Sequence, residues 1–228
     1  MATQYAFGQI LTTGLVLALN AADKNSYPGS GTTWTDVSGN GNNGTLTNGP
    51  TFSSGSGGAI VLDGTNDYVS CGNNSSLQIT QGTISTWVRT TSPGSSFRGI
   101  ITKQNNYALF TNDGVLVAYD WGNAQIRSTG TNIADGTWKN VAMSFTTNTG
   151  TPSNNAIIYL NGSAILTTTI KQLNDTVEVQ LANGGTFASV QFTQILNGSI
   201  SIGLIYNRAL SATEILQNYN AQKSRFNL

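Results

Sequence analysis

Apolar residues in this chain recur at every second position, in short runs separated by Gly, Asn, Ser and Asp. Ile200, Ile202, Leu204 and Tyr206 follow this spacing. Period two projects all four to one face of a strand, which is read as core. Val141, Met143 and Phe145 share a face opposite Ala142 and Ser144, and Val177, Val179 and Leu181 alternate with Glu178 and Gln180, so Glu178 points outward. Further strands are predicted at 15–19, 83–90, 100–103, 107–111, 115–120, 156–160 and 164–169. Asn112-Asp-Gly114 and Asn161-Gly-Ser163 carry the residues that tolerate positive φ in tight hairpins. The turn Asp63-Gly-Thr-Asn-Asp67 is read as a hairpin between the runs 59–63 and 68–71, after a long polar loop from Asn20 to Gly57. Helical spacing is absent before residue 211. There Ser211 and Glu214 form a capping box, and Ile215, Leu216 and Tyr219 give the helix an apolar stripe. About a dozen strands and one helix predict an all-β protein, an antiparallel two-sheet sandwich closed by one short C-terminal helix.

Composition narrows what such a sandwich does. Its 228 residues suit one β domain. Only 9% are charged, ten basic against ten acidic, where an ordinary soluble domain carries about 25%. A surface this neutral lacks the Lys/Arg clusters that bind nucleic acid or anionic lipid, so neither nucleic acid nor membrane insertion is expected. The absence of His removes the usual zinc ligand and general base, and the single Cys71 rules out an internal disulfide. Cys71 is read as a buried, inert thiol. The start Met1-Ala-Thr-Gln-Tyr has no basic region, and the apolar stretch 14–19 is too short for a signal core or a membrane span. A chain without a standard export signal but with a display-type composition fits a virion protein released by lysis. It also fits a fragment or a cytosolic protein.

The ordered series Gly14-Leu-Val-Leu-Ala-Leu-Asn, Trp34-Thr-Asp-Val-Ser-Gly-Asn-Gly-Asn-Asn-Gly, Leu62-Asp-Gly-Thr-Asn-Asp-Tyr-Val69, Trp138-Lys-Asn-Val-Ala142, Ile158-Tyr-Leu-Asn-Gly162 and Ile205-Tyr-Asn-Arg-Ala-Leu-Ser211 resembles laminin-G-like domains of the concanavalin A-like lectin/glucanase superfamily. That resemblance implies a jelly-roll sandwich over 14–228, with residues 1–13 left as an N-terminal arm. The wording of Ser26-Tyr-Pro-Gly-Ser-Gly-Thr-Thr-Trp34 and of Asn218 to Phe226 resembles versions found in structural proteins of tailed bacteriophages. It implies a virion location, as a capsid decoration or fibre-like subunit. The implied partners are other virion proteins of the capsid or tail, a host-surface glycan and further copies of the chain in a homo-oligomer. A free carbohydrate-binding or adhesion module is the alternative.

Three sets of residues carry candidate chemistry. Members of this superfamily often hold Ca²⁺, which needs six to eight oxygen ligands; Asp36, Asn40 and Asn42 in the glycine-rich loop are the candidate set for a structural Ca²⁺. The alternative is that the same side chains cap turns through their own backbone. Glucanase members present two carboxylates as Glu-x-Asp-x-x-Glu. That text does not occur here, where the glutamates are Glu178 and Glu214, so the protein is read as a non-enzyme. For glycan recognition, an aromatic face rimmed by amides and carboxylates is offered by Tyr119, Asp120, Trp121 and Asn123, with Tyr107 nearby. Trp121 serves equally as a lid over the interior, and Trp34, Trp87 and Trp138 are assigned to the interior of the sandwich.

Overall fold

A computed structural model describes residues 9–91, 97–148, 154–173, 177–184 and 194–228. Among the described residues, the chain forms β1 (Leu15–Asn20), β2 (Thr33–Trp34), β3 (Gly44–Thr47), β4 (Thr51–Ser53), β5 (Ala59–Asp63), β6 (Tyr68–Ser70), β7 (Gly82–Thr90) and β8 (Phe97–Lys103). There follow β9 (Tyr107–Asn112), β10 (Val115–Asp120), β11 (Gln125–Asn132), β12 (Lys139–Phe145), β13 (Ala156–Leu160), β14 (Ser163–Thr168), β15 (Val179–Leu181) and β16 (Asn197–Tyr206). Helix α1 (Ala212–Gln222) and a 3-10 turn, Lys223–Phe226, end the chain. The first sheet runs β14-β13-β12-β7-β16-β5-β4, with β1 also on β16, and the second runs β11-β10-β9-β8-β15-β6-β3-β2. Every described strand pair is antiparallel. The all-β sandwich with one C-terminal helix is as the alternation predicts. No described helix is long and apolar enough to cross a membrane.

Between the sheets lies one continuous apolar cluster. The first sheet contributes Leu17, Ile60, Ile84, Val141, Met143, Phe145 and Ile205; the second contributes Val69, Leu109, Leu116, Val179 and Leu181. Burial of these branched side chains supplies the main driving force, roughly 25 cal/mol for each Å² of apolar surface removed from water. Cys71 lies in the same cluster, and burial pushes its thiol well above the ordinary range, so it is an inert filler.

The outer face of the first sheet is also covered. Trp87, Trp138, Tyr159, Ile202, Leu204 and Tyr206 pack there with Ile215 of α1 and Phe226. Trp87 stacks on Phe226 at 3.9 Å between ring centroids and on Tyr219 at 5.7 Å, and its indole N–H donates to Gln222 Oε1 at 2.6 Å. This corrects the reading that Trp87 and Trp138 fill the sandwich interior; of the three tryptophans so assigned, Trp34 alone lies there. It also splits the apolar set of β16. A bulge against β7 between Ile200 and Ile202 turns Ile200 into the interior while Ile202, Leu204 and Tyr206 face α1.

Two local features anchor this roof. Ser211 Oγ accepts from Glu214 N–H at 3.3 Å, and Glu214 Oε2 accepts from Ser211 N–H at 2.8 Å, completing the capping box. Arg208 grips the same carboxylate through both Nη atoms, at 3.0 and 2.8 Å. Within the stripe of α1, Ile215 is buried, but Leu216 is 44% exposed and Asn218 takes an inward position instead. Asn218 Oδ1 accepts from Leu11 N–H, and Tyr206 OH donates to Leu11 O. Residues 9–13 of the expected arm are therefore tied to this face; residues 1–8 lie outside the described residues. Arg225, pushed down to about 10 by burial, donates to Ser56 O, Gly58 O, Asn20 Oδ1 and Ser201 Oγ.

The turns divide between confirmation and correction. Asn112↔Val115 and Leu160↔Ser163 close the two expected hairpins, with Asp113, Gly114, Asn161 and Gly162 all at positive φ. Asp63–Asp67 does not make a hairpin, because β5 belongs to the first sheet and β6 to the second. The turn bridges the layers, held by Asp63 Oδ1 accepting from Thr65 N–H at 2.7 Å and Asp67 Oδ2 from Asp63 N–H at 3.1 Å. The polar loop 20–57 contains three short strands, β2, β3 and β4.

Replacing Trp87 with Ala removes the ring that Phe226 and Tyr219 cover, and should destabilise the protein by about 3–5 kcal/mol, read as a lower urea midpoint. The Arg208 and Ser211 contacts hold Glu214 down at about 2 from an ordinary value of 4.5. A carboxylate with a depressed folded-state value stabilises fully above its unfolded value and loses that contribution as the pH falls. Glu214→Gln should therefore flatten the stability profile between about pH 4.5 and 2.

Candidate functional site

With α1 over one sheet, the outer face of the second sheet carries a second cluster of side chains, part of it buried and part at the surface. Cross-strand register decides which ones. Phe97 and Gly99 of β8 sit opposite Asn112 and Phe110 of β9, Val117 of β10 pairs with Phe110 and Ser128, and Tyr119 pairs with Ile126 of β11. Ala108, Phe110, Val117 and Trp121 form an apolar floor, flanked by Phe97, Val115 and Tyr119. The rings meet edge-on or tilted: Phe97–Phe110 at 5.6 Å, Phe97–Tyr119 at 6.0 Å, Tyr119–Trp121 at 4.7 Å and Phe110–Trp121 at 6.4 Å. Tyr119 is half-buried and Ile126 is 44% exposed, so the rim of this cluster is open while its floor is closed.

The five expected glycan-contacting residues fall in different places. Tyr119 stands on the outer face. Trp121, 7% exposed, is part of the aromatic floor on the outer face and does not lie over the interior cluster between the sheets. Asp120 is fully buried: its Oδ1 accepts from Lys171 N–H at 2.9 Å, and its Oδ2 accepts from Asn123 Nδ2 at 2.9 Å and from Arg127. Burial works to raise its pKa, but the bonds from Asn123, Arg127 and Lys171 outweigh it and hold the carboxyl below its usual value. It is a fastener for the β10–β11 turn. Asn123 is exposed beside it. Tyr107 is a correction, because its ring is wholly buried between the sheets, stacked on Phe145 at 5.7 Å, and its hydroxyl donates to Leu77 O at 3.0 Å.

The glycine-rich loop is organised by one carboxylate. Asp36 Oδ1 accepts from Ala18 N–H at 2.8 Å and Ser38 N–H at 2.9 Å; Oδ2 accepts from Ser38 Oγ at 2.8 Å and Asn42 N–H at 3.0 Å. Asn42 Nδ2 donates to Val16 O at 2.7 Å and Ser76 Oγ at 2.9 Å, and its Oδ1 accepts from Asn74 Nδ2 at 2.8 Å. Asn40 turns its amide nitrogen to Leu15 O at 3.2 Å. Four further carboxylates have structural tasks of the same kind. Glu178 accepts from Ser70 and Gln180, and Glu214 caps α1. Asp63 and Asp67 close their turn; burial and the neighbouring Asp63 charge raise Asp67, while hydrogen bonds led by Thr65 N–H lower Asp63.

Residues 63–216 match the laminin G family described as the concanavalin A-like lectin/glucanases superfamily. The chain belongs to that superfamily. A comparison with curated protein sequences finds no match. Among solved structures, the fold is shared with the binding domain of Paraclostridial Mosquitocidal Protein 1, at TM-score 0.68 and 17% identity over 91% of this chain and 52% of that one. It is shared with Trypanosoma rangeli sialidase in complex with sialic acid, at TM-score 0.67 and 13% identity over 93% of this chain and 33% of that one. Domain 4 of AbnA, a GH43 extracellular arabinanase from Geobacillus stearothermophilus in complex with arabinotriose, gives TM-score 0.64 and 19% identity over 90% of this chain and 98% of that one. The chain thus spans about half or less of the mosquitocidal and sialidase chains and almost all of the arabinanase domain.

The calcium that many superfamily members carry does not suit the residues found here. Both oxygens of Asp36 already accept two hydrogen bonds each, and the donors occupy the directions a cation would need. Asn40 and Asn42 turn nitrogen, not oxygen, toward the neighbouring backbone carbonyls. Among the described residues there is no cluster of three or more His, Cys, Asp or Glu side chains suited to a metal. The Asp36 set is therefore corrected from a metal site to a turn-closing network. Thermal melts in millimolar calcium and in chelator should coincide, whereas Asp36→Ala should lower the melting temperature in both, since it leaves buried N–H groups of Ala18 and Asn42 without acceptors.

Proposed function

We propose that this chain is a non-catalytic carbohydrate-binding domain whose binding face is the outer side of the second sheet, and that it is displayed on the virion of a tailed bacteriophage. The observation that carries the first part is the contrast between the two sheets: Trp87 and its neighbours are roofed by α1, while Tyr119 rises half-exposed from an aromatic floor with the exposed Ile126 across from it. Sugars present CH patches edged by hydroxyls, and a half-exposed tyrosine ring with its own hydroxyl matches both features. Arabinotriose in the arabinanase domain, of which this chain covers 98%, supports a neutral carbohydrate as the class of ligand. Binding rather than hydrolysis is favoured because Glu178 and Glu214 are each occupied in holding a turn or cap, at separate places in the fold. A hydrolase needs two carboxylates facing one scissile bond.

The virion assignment draws on the wording of residues 26–34 and 218–226 and on a surface with few charges. In that setting the subunit attaches to capsid or tail proteins, and copies assemble as a homo-oligomer. A free adhesion module is the second reading, favoured by the near-complete coverage of the isolated arabinanase domain. Mass spectrometry of purified particles separates them: the virion reading expects the chain among the particle proteins, and its absence there leaves the free module.

On a glycan array, wild type is expected to retain a subset of glycans, and Tyr119→Ala to lose them by about tenfold or more in affinity, as removal of a stacking ring does. Trp121→Ala should act through stability, with a lowered melting temperature. Equal glycan retention by wild type and Tyr119→Ala would place binding elsewhere.

A further inference from the structure

Three strands away from Tyr119, register assembles a second group on the same outer face. Gln180 of β15 pairs with Thr102 of β8 on one side and Ser70 of β6 on the other, and Ser70 pairs with Thr45 of β3. Thr45, Ser70, Gln180 and Thr102 thus form one row across four strands, with Glu178 beside it. Ser70 Oγ donates to Glu178 Oε2 and Gln180 Nε2 donates to Glu178 Oε1, while the hydroxyl of Thr102 donates to Asn183 O at 2.6 Å. Gln180 is nine-tenths buried, and its Oε1 has no hydrogen-bond partner. A buried amide oxygen left unmet is costly, and a ligand that donates to it recovers that cost.

We infer that this row is a polar subsite for a neutral sugar, recognised through its hydroxyl protons. The inference rests on the carbohydrate-binding reading and extends it to a ligand class. The donors of Ser70, Gln180 and Thr102 in these bonds are already spent inside the protein. What the row leaves unmet is acceptor capacity: the lone pairs of Glu178 and the oxygen of Ser70 at half-exposed positions, and the buried Gln180 Oε1 behind them. Sugar hydroxyls satisfy such acceptors. A carboxylate or sulfate on the sugar brings no proton and meets the negative charge of Glu178, so sialylated and sulfated glycans are rejected.

The test is an array of neutral oligosaccharides, arabinotriose included, printed beside sialylated and sulfated counterparts, probed with wild type, Gln180→Met, Ser70→Ala and Tyr119→Ala. Neutral glycans should bind, and Gln180→Met and Ser70→Ala should each weaken them by about tenfold at unchanged melting temperature. If Gln180→Met fails to fold, Ser70→Ala, a smaller change at a half-exposed position, carries the comparison. Preference for the anionic glycans overturns the inference. So does wild-type affinity in both row variants while Tyr119→Ala loses binding, a result that leaves the carbohydrate reading in place. Failure of every glycan to bind wild type removes both.

Discussion

The position of Trp87 on the outer face of the first sheet constrains the rest of the molecule. A fully buried indole on a sheet's outer side requires a second layer, and the last 17 residues supply it: α1 brings Tyr219 and Gln222, and the turn after it brings Phe226 onto the ring at 3.9 Å. Burying that ring stabilises the roof by a few kcal/mol, a large fraction of the roughly 5–15 kcal/mol net stability of a typical domain. The capping box and the Arg208 clamp on Glu214 fix where the helix starts, and Arg225 fixes where the chain ends. Once this face is closed, the half-exposed positions Phe97, Val115 and Tyr119 and the exposed Ile126 lie on the outer side of the opposite sheet.

Much of this fold was legible in the sequence because half-buried antiparallel strands alternate, and the alternation at 141–145 and 179–181 lies on the interior face as read. Legibility failed where the rule of two was locally broken or carried no apolar signal. Strand β11, Gln-Ile-Arg-Ser-Thr-Gly-Thr-Asn, is an edge strand with polar residues on both faces, so nothing marked it as a strand. The bulge in β16 is set by its pairing with β7 and leaves no trace in the order Ile200, Ser201, Ile202. The turn 63–67 has hairpin chemistry, yet whether its two strands pair or part into different layers depends on partners far along the chain.

The candidate sites follow the same division. Tyr119, Asp120 and Trp121 were found because they are consecutive, but consecutive residues in a strand point to opposite sides, so one segment could not deliver all three to a ligand. Tyr107 was drawn in by proximity in sequence and went to the core by parity: it pairs with Lys103 on the interior side of the β8–β9 hairpin. The row of Thr45, Ser70, Gln180 and Thr102 was invisible, since its members come from four separated strands and none carries a motif.

Low charge and the architecture of the carboxylates belong to one explanation. Asp36, Asp120, Glu178 and Glu214 each accept several hydrogen bonds that close a loop, a turn, a cross-strand row or a helix start. Acidic groups used in this way are fixed and desolvated, or neutralised by Arg127 and Arg208. Asp36, Asp120 and Glu214 are thereby committed to holding the fold, while Glu178 stays half-exposed at the edge of its row. What remains facing outward is aromatic surface, amide and hydroxyl, the chemistry of reversible binding to neutral polar ligands. On the carbohydrate-binding proposal, contact runs through shape and hydrogen bonding, and affinity should depend little on ionic strength, because little of the contact is Coulombic.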